Sequence, residues 1–104
     1  MQSGVILLST YPDERTAVKA GKEIVRARLA ACVTFTKVRS FYWWNGRIED
    51  SNECIAMFKS VKERSKKLRE AIVKSHPYKV PEIVELRMDS VSKSYLRWMV
   101  ENVR

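Results

Sequence analysis

Glycine is scarce in this sequence. Gly4, Gly21 and Gly46 stand far apart, so no glycine-rich loop is available to cradle a phosphate. Histidine occurs once, as His76, and cysteine twice, as Cys32 and Cys54. That supply is too thin for a structural zinc centre or a secreted disulfide framework. No local pattern frames a nucleophile beside His76 either, so the chain is not expected to be an enzyme. Long apolar runs are missing. The run Val5-Ile6-Leu7-Leu8 is far too short for a signal peptide or a membrane span, and no basic segment precedes it. The expected setting is the cytoplasm, with no membrane partner.

What the sequence does contain is enough for one core. Its 104 residues, 45% of them hydrophobic, suit a single domain over residues 1–104. The net charge of +8 raises the question of nucleic acid. The basic residues are dispersed, however, with Lys19, Lys22 and Arg26 in one segment and Lys62, Lys66, Lys67 and Arg69 in another. Glu14, Glu23, Glu63 and Glu70 are interleaved with them. This pattern describes two solvated helix faces, and no nucleic-acid partner is expected.

Periodicity sets the order of elements. Residues 4–10 read as a buried strand. Pro12, Asp13 and Glu14 then open a helix whose small residues Ala17, Ala20 and Gly21 allow close approach to a sheet. Residues 31–44 are β-rich, and Asn45-Gly46 supplies the two positive-φ positions of a type I′ hairpin turn. A return strand follows to about residue 61. The apolar phase is odd at Val33 and Phe35 but even at Val38 and Tyr42, which predicts a bulge near Thr36-Lys37. A second helix is predicted over 62–76 with Val61, Leu68 and Ile72 inward, ended by His76-Pro77. Residues 83–88 alternate, with Val84, Leu86 and Met88 on the packed side and Glu85 and Arg87 wet. Ser92 or Ser94 caps a last helix carrying Tyr95, Leu96, Met99 and Val103 on one stripe. The fold class is α+β: a ferredoxin-like β-α-β-β-α-β with a long second hairpin and an extra C-terminal helix.

That hairpin is too long for its domain. Thirteen residues at about 3.3 Å each span roughly 40 Å. The body of a domain this size is only about 30–35 Å across. The overhanging end carries Phe41, Tyr42, Trp43 and Trp44, and an exposed aromatic patch of that extent predicts an interface with sister chains. A two-residue turn pairs Trp44 with Arg47. Cys54 then faces Lys37 and Cys32 faces Lys59, so no disulfide joins the two cysteines.

Other functions of this fold do not fit. RNA-recognition domains need stacking aromatics on the middle strands, whereas the third strand reads Glu53-Cys54-Ile55-Ala56-Met57-Phe58. Acylphosphatase-like enzymes need a phosphate cradle after the first strand, where this chain has the acidic Thr10-Tyr11-Pro12-Asp13-Glu14. The acidic Glu49, Asp50 and Glu53 read as a solvated edge, with a hard-cation site as the alternative. Cys32 reads as a buried thiol, with a soft-metal role open if a second soft ligand comes close. His76 reads as a helix terminator, with a metal role as the alternative.

Four blocks taken together are specific: Leu29-Ala30-Ala31-Cys32, Tyr42-Trp43-Trp44-Asn45-Gly46, His76-Pro77-Tyr78-Lys79-Val80-Pro81-Glu82-Ile83 and Tyr95-Leu96-Arg97-Trp98. In this order and spacing, over essentially the whole chain, they resemble the CutA family of divalent-cation tolerance proteins. The resemblance implies a homotrimer whose hairpins join three sheets edge to edge. It also implies a role in tolerance to divalent metals such as copper. The family's likeness to trimeric nitrogen-signalling proteins implies, as the alternative, a small-molecule sensor. Matched positions Cys32, Tyr42, Lys59, Glu82 and Trp98 are expected to form a ligand-binding cleft between subunits, with His76 as the metal-binding candidate. No cofactor is obligatory, and a divalent ion such as copper is the candidate ligand. Some members carry a cysteine at the end of the first strand and a His-His pair before Pro-Tyr. This chain has Ser9 and Ser75-His76 there, so a tight copper site of that kind is not expected.

Overall fold

The computed structural model describes residues 2–104, and Met1 lies outside them. The elements are β1 (Gly4–Tyr11), α1 (Glu14–Arg26), β2 (Cys32–Trp44), β3 (Arg47–Val61), α2 (Ser65–Ser75), β4 (Val84–Arg87) and α3 (Lys93–Asn102). The four strands form one antiparallel sheet in the order β2-β3-β1-β4. This is the ferredoxin-like arrangement expected from the order of elements.

Local chemistry places α1. The Asp13 carboxylate accepts from the Thr16 backbone N–H at 2.7 Å, capping the helix. Ala17, Ala20, Gly21 and Ile24 are then buried against the sheet. The approach is so close that a Cβ built on Gly21 would lie 2.7 Å from the Phe35 ring. Val5, Leu7, Ala56, Phe58, Leu68 and Ile72 complete the core between the sheet and the two helices. A second, smaller cluster, Val61, Met99 and Val103, lies on the opposite face under α3.

Three expectations need correction. No bulge occurs at Thr36-Lys37, because the pairing of β2 with β3 runs unbroken from Cys32↔Lys59 to Trp44↔Arg47. The apolar phase changes because β2 leaves the helix layer. Val33 and Phe35 lie under α1, while Val38 and Tyr42 belong to the opposite face. The predicted helix over 62–76 begins instead with a single 3-10 turn, Lys62–Arg64, and Val61 belongs to β3 and packs under α3. The reading of β4 fails at Val84, Glu85 and Leu86, while Arg87 is exposed and Met88 packed as expected. Glu85 turns toward α2, bound by Lys62 at 2.6 Å and Arg69 at 2.7 Å, while Val84 and Leu86 are 41% and 46% exposed on the face opposite α1 and α2. An ion-paired carboxylate can occupy the covered side of an edge strand, and the aliphatic side chains are left facing outward.

Candidate functional site: the hairpin cleft

The hairpin dominates the shape of the molecule. The molecule is elongated, with principal extents of 45 × 26 × 21 Å. Asn45 and Gly46 hold φ of 51° and 75°, as a type I′ turn requires. Arg39 grips Asp50 across the strands through two bonds of 2.9 and 2.7 Å, and its guanidinium lies over the Phe41 ring. The aromatic end does not fold back onto its own sheet, since Phe41 and Trp43 are 67% and 72% exposed. β1 pairs with residues 54–61 of β3, so the edge of β3 over 47–53 carries no strand partner among the described residues.

Behind the aromatics lies a cleft of about 780 Å³, closed on the other side by the segment 78–82. Tyr42, Trp43, Trp44, Glu53, Tyr78 and Glu82 all contribute to its wall. The Tyr42 and Ser51 hydroxyls share a hydrogen bond of 3.1 Å, and the Tyr78 hydroxyl donates to Glu53 Oε2 at 2.7 Å. Burial, reinforced by the Glu53 carboxylate, holds the Tyr78 phenol well above its ordinary pKa, so Tyr78 remains the donor. Glu53 is only 7% exposed. Reading it with Glu49 and Asp50 as a solvated edge was wrong, because the 78–82 segment covers it. Strand position separates it from Asp50, which is opposite Phe41, but not from Glu49, which shares its face; only the covering segment sets Glu53 apart.

The other expected cleft residues divide into two groups. Tyr42 and Glu82 meet in this cleft. Cys32 and Lys59 lie directly across from each other at the far end of the sheet, and Lys59 donates to Thr34 Oγ1 at 3.0 Å. Ten rungs of ladder, roughly 33 Å, separate Cys32 from Tyr42. Trp98 packs against Tyr95 on α3, ring centroids 5.4 Å apart. Within one subunit these groups cannot share a ligand. The two cysteines stay apart, Cys54 opposite Lys37 and Cys32 opposite Lys59, and both thiols are free.

His76 is fully engaged within its own chain. Its Nδ1 accepts from the Tyr78 backbone N–H at 3.1 Å, which leaves Nε2 carrying the proton and donating to the Thr10 carbonyl at 2.8 Å. The ring stacks on Tyr11 at 4.3 Å. A metal could take Nδ1 only by displacing the Tyr78 bond. Ser9 and Ser75 add only hydroxyls at the neighbouring positions, and the Ser9 Oγ is buried without a partner. This donor set does not fit a tight soft-metal centre.

Burial holds the His76 pKa below its ordinary value. A neutral buried imidazole favours folding fully above pH of about 6.5, the unfolded value. That contribution is lost as pH falls toward the lower folded pKa, because the unfolded chain binds the proton first. Thermal unfolding of the wild type is therefore expected to show stability declining between pH 7 and pH 5. His76→Gln should be less stable at pH 7 and should lose most of this slope. An unchanged slope in the variant would show that another group is responsible.

Comparison with known proteins accords with the blocks read from the sequence. The profile of the CutA1 divalent ion tolerance proteins matches residues 5–102. A divalent-cation tolerance protein CutA of Thermotoga maritima is 37% identical over 99 residues, covering 95% of this chain and 98% of that protein. The crystal structure of CutA1 from Pyrococcus horikoshii superposes with a TM-score of 0.93 at 36% identity, covering 96% of this chain and 98% of that one. The CutA of Archaeoglobus fulgidus, described as a periplasmic divalent cation tolerance protein, gives a TM-score of 0.94 at 29% identity, with 97% of this chain and 99% of that one covered. With the profile matched over nearly the whole chain and relatives more than a third identical over almost their full length, the chain belongs to the CutA1 divalent ion tolerance protein family.

Proposed function

We propose that the protein is a cytoplasmic homotrimer of single-domain chains that acts in tolerance to divalent metal cations. It does so as a binding module, without catalytic machinery of its own. The observation that carries this reading is the hairpin's exposed aromatic end on an elongated molecule 45 Å in its longest extent. Such a patch is stable in water only when a partner covers it. The outward-facing Val84 and Leu86 and the unpaired β3 edge over 47–53 supply surface for the same partner. Phe41, Tyr42, Trp43 and Trp44 then form the trimer interface. In that assembly the two groups of cleft residues, Tyr42 with Glu82 and Cys32 with Lys59 and Trp98, come together from different subunits.

The engaged state of His76 makes any copper contact through it weak, and Cys32 is the remaining soft donor. Calorimetric titration with copper is expected to give weak binding that Cys32→Ser reduces and His76→Ala leaves nearly unchanged. A tight copper site abolished by His76→Ala would overturn this assignment. The size of the cleft, about 780 Å³, favours a second reading: a trimeric small-molecule sensor. A stable trimer that gives no heat with any divalent metal would select it.

A further inference from the structure

We propose that Tyr78 and Glu53 latch the root of the hairpin and fix the angle at which it reaches a sister chain. The inference rests on the assembly reading above and names the residues that position its hairpin.

The sheet narrows at this root. β1 ends at Tyr11, opposite Cys54, so residues 38–53 form a ribbon of only two strands. Such a ribbon is marginal by itself in water and takes up more twist than a wider sheet. No apolar side chain of residues 38–53 belongs to either core cluster. The Arg39–Asp50 and Tyr42–Ser51 bonds lie within the ribbon and leave its angle to the body free. Lys37 meets Glu14 at 4.0 Å with both side chains largely exposed, a contact that water screens. Among the described residues, the Tyr78 hydroxyl is the one hydrogen-bonding group outside the ribbon that reaches it, at 2.7 Å from Glu53 Oε2.

Tyr78 is itself held to the end of β1. His76 accepts from its backbone N–H and donates to the Thr10 carbonyl. The His76 ring stacks on Tyr11, and the Tyr78 ring lies 4.9 Å from it. The latch therefore joins the ribbon to the last rungs that β1 shares with β3. Glu53 is covered, so water competes little for a bond whose acceptor is a carboxylate. Beyond Tyr78 the cleft separates the 78–82 segment from the aromatic end, and no close packing there replaces the bond.

Leverage makes the bond matter. Six rungs, roughly 20 Å, separate the Val38–Glu53 pair from the Trp44–Arg47 pair. A turn of about 10° at the root then moves the tip by about 3 Å, a gap across which side-chain packing is lost. An unlatched ribbon must be ordered at the moment of association, and that ordering weakens it.

The test compares wild type with Tyr78→Phe, Glu53→Ala and Glu53→Gln by sedimentation equilibrium. Tyr78→Phe keeps the ring against His76 and removes only the hydroxyl. Should it fail to fold, Glu53→Ala removes the same bond from the other side. Each should raise the dissociation constant of the trimer by about tenfold or more. Glu53→Gln retains an oxygen acceptor for Tyr78 and should recover most of the loss. Hydrogen exchange separates positioning from general destabilisation. It is read in the Trp43→Ser/Trp44→Ser chain, where no sister chain shields the ribbon. Adding Tyr78→Phe should speed exchange within residues 38–53 several-fold and leave β1 unchanged. Unchanged exchange in the ribbon, an equal rise in β1, or Glu53→Gln as weak as Glu53→Ala overturns the latch. A trimer indifferent to Tyr78→Phe and Glu53→Ala overturns the latch alone. A wild type that sediments as a monomer overturns the assembly reading, and the exchange pattern then decides by itself whether Tyr78 holds the ribbon.

Discussion

Replacing Trp43 and Trp44 together by serine is expected to convert the proposed trimer into monomers at micromolar concentration. Both side chains are largely uncovered in the isolated chain, at 72% and 45% exposure. Covering such areas on a sister subunit contributes roughly 2–3 kcal/mol per tryptophan. The loss is repeated at each interface, so the dissociation constant should rise by well over about a hundredfold. The monomers should remain folded, because neither residue belongs to the core. Sedimentation velocity reads the mass and far-ultraviolet circular dichroism reads the fold. Val73→Ser is the control: Val73 is an exposed aliphatic residue on α2, away from the hairpin, and its loss should leave the mass unchanged. A double variant that stayed trimeric would remove the hairpin from the interface.

Gly21→Val should be the most damaging single substitution on the surface helices. The added Cβ would lie 2.7 Å from the Phe35 ring and 3.0 Å from Val33, and valine then adds two methyl groups to a space already closed. Either Phe35 turns off its rotamer or α1 lifts from the sheet, and overpacking of this kind costs about 3 kcal/mol. For a domain of this size that is a fall of more than about 10 °C in Tm. Helix propensity would be improved by any residue replacing glycine, so the expected sign comes from packing alone. Lys22→Val, one residue along on the exposed side of the same helix, should shift Tm little. If the two variants proved equally stable, the close approach of α1 to β2 would be wrong.

Both predictions start from features legible in the chain. The small residues of α1 announced a tight helix–sheet contact, and arithmetic on the strand length announced the overhang. The hairpin turn followed from Asn45-Gly46, whose backbone angles no other common pair adopts as readily. The separation of the cysteines followed from the register that this turn imposes.

The misreadings have one cause. The bulge at Thr36-Lys37, the sides given to Val84, Glu85 and Leu86 on β4 and the solvated reading of Glu53 all came from taking an apolar or polar pattern as a statement about one strand. Burial depends on what lies above each face. β2 outruns α1, so its covered face changes without any break in register. Glu85 is drawn inward by Lys62 and Arg69, which arrive from a segment more than a dozen residues away in sequence. Glu53 is enclosed by the 78–82 segment. Likewise, nothing in the sequence around His76 shows that Thr10 and Tyr78 use both of its nitrogens.

The amino-acid order alone therefore determined the sequence of elements, the turn, the strand register and the length by which the hairpin exceeds its body, because each arises from backbone sterics and short-range spacing. Tertiary structure alone decided which carboxylate is buried, which face of β4 is wet and whether the imidazole is free. These properties depend on contacts between segments distant in the chain, where the local environment sets the cost of charge and the availability of each lone pair.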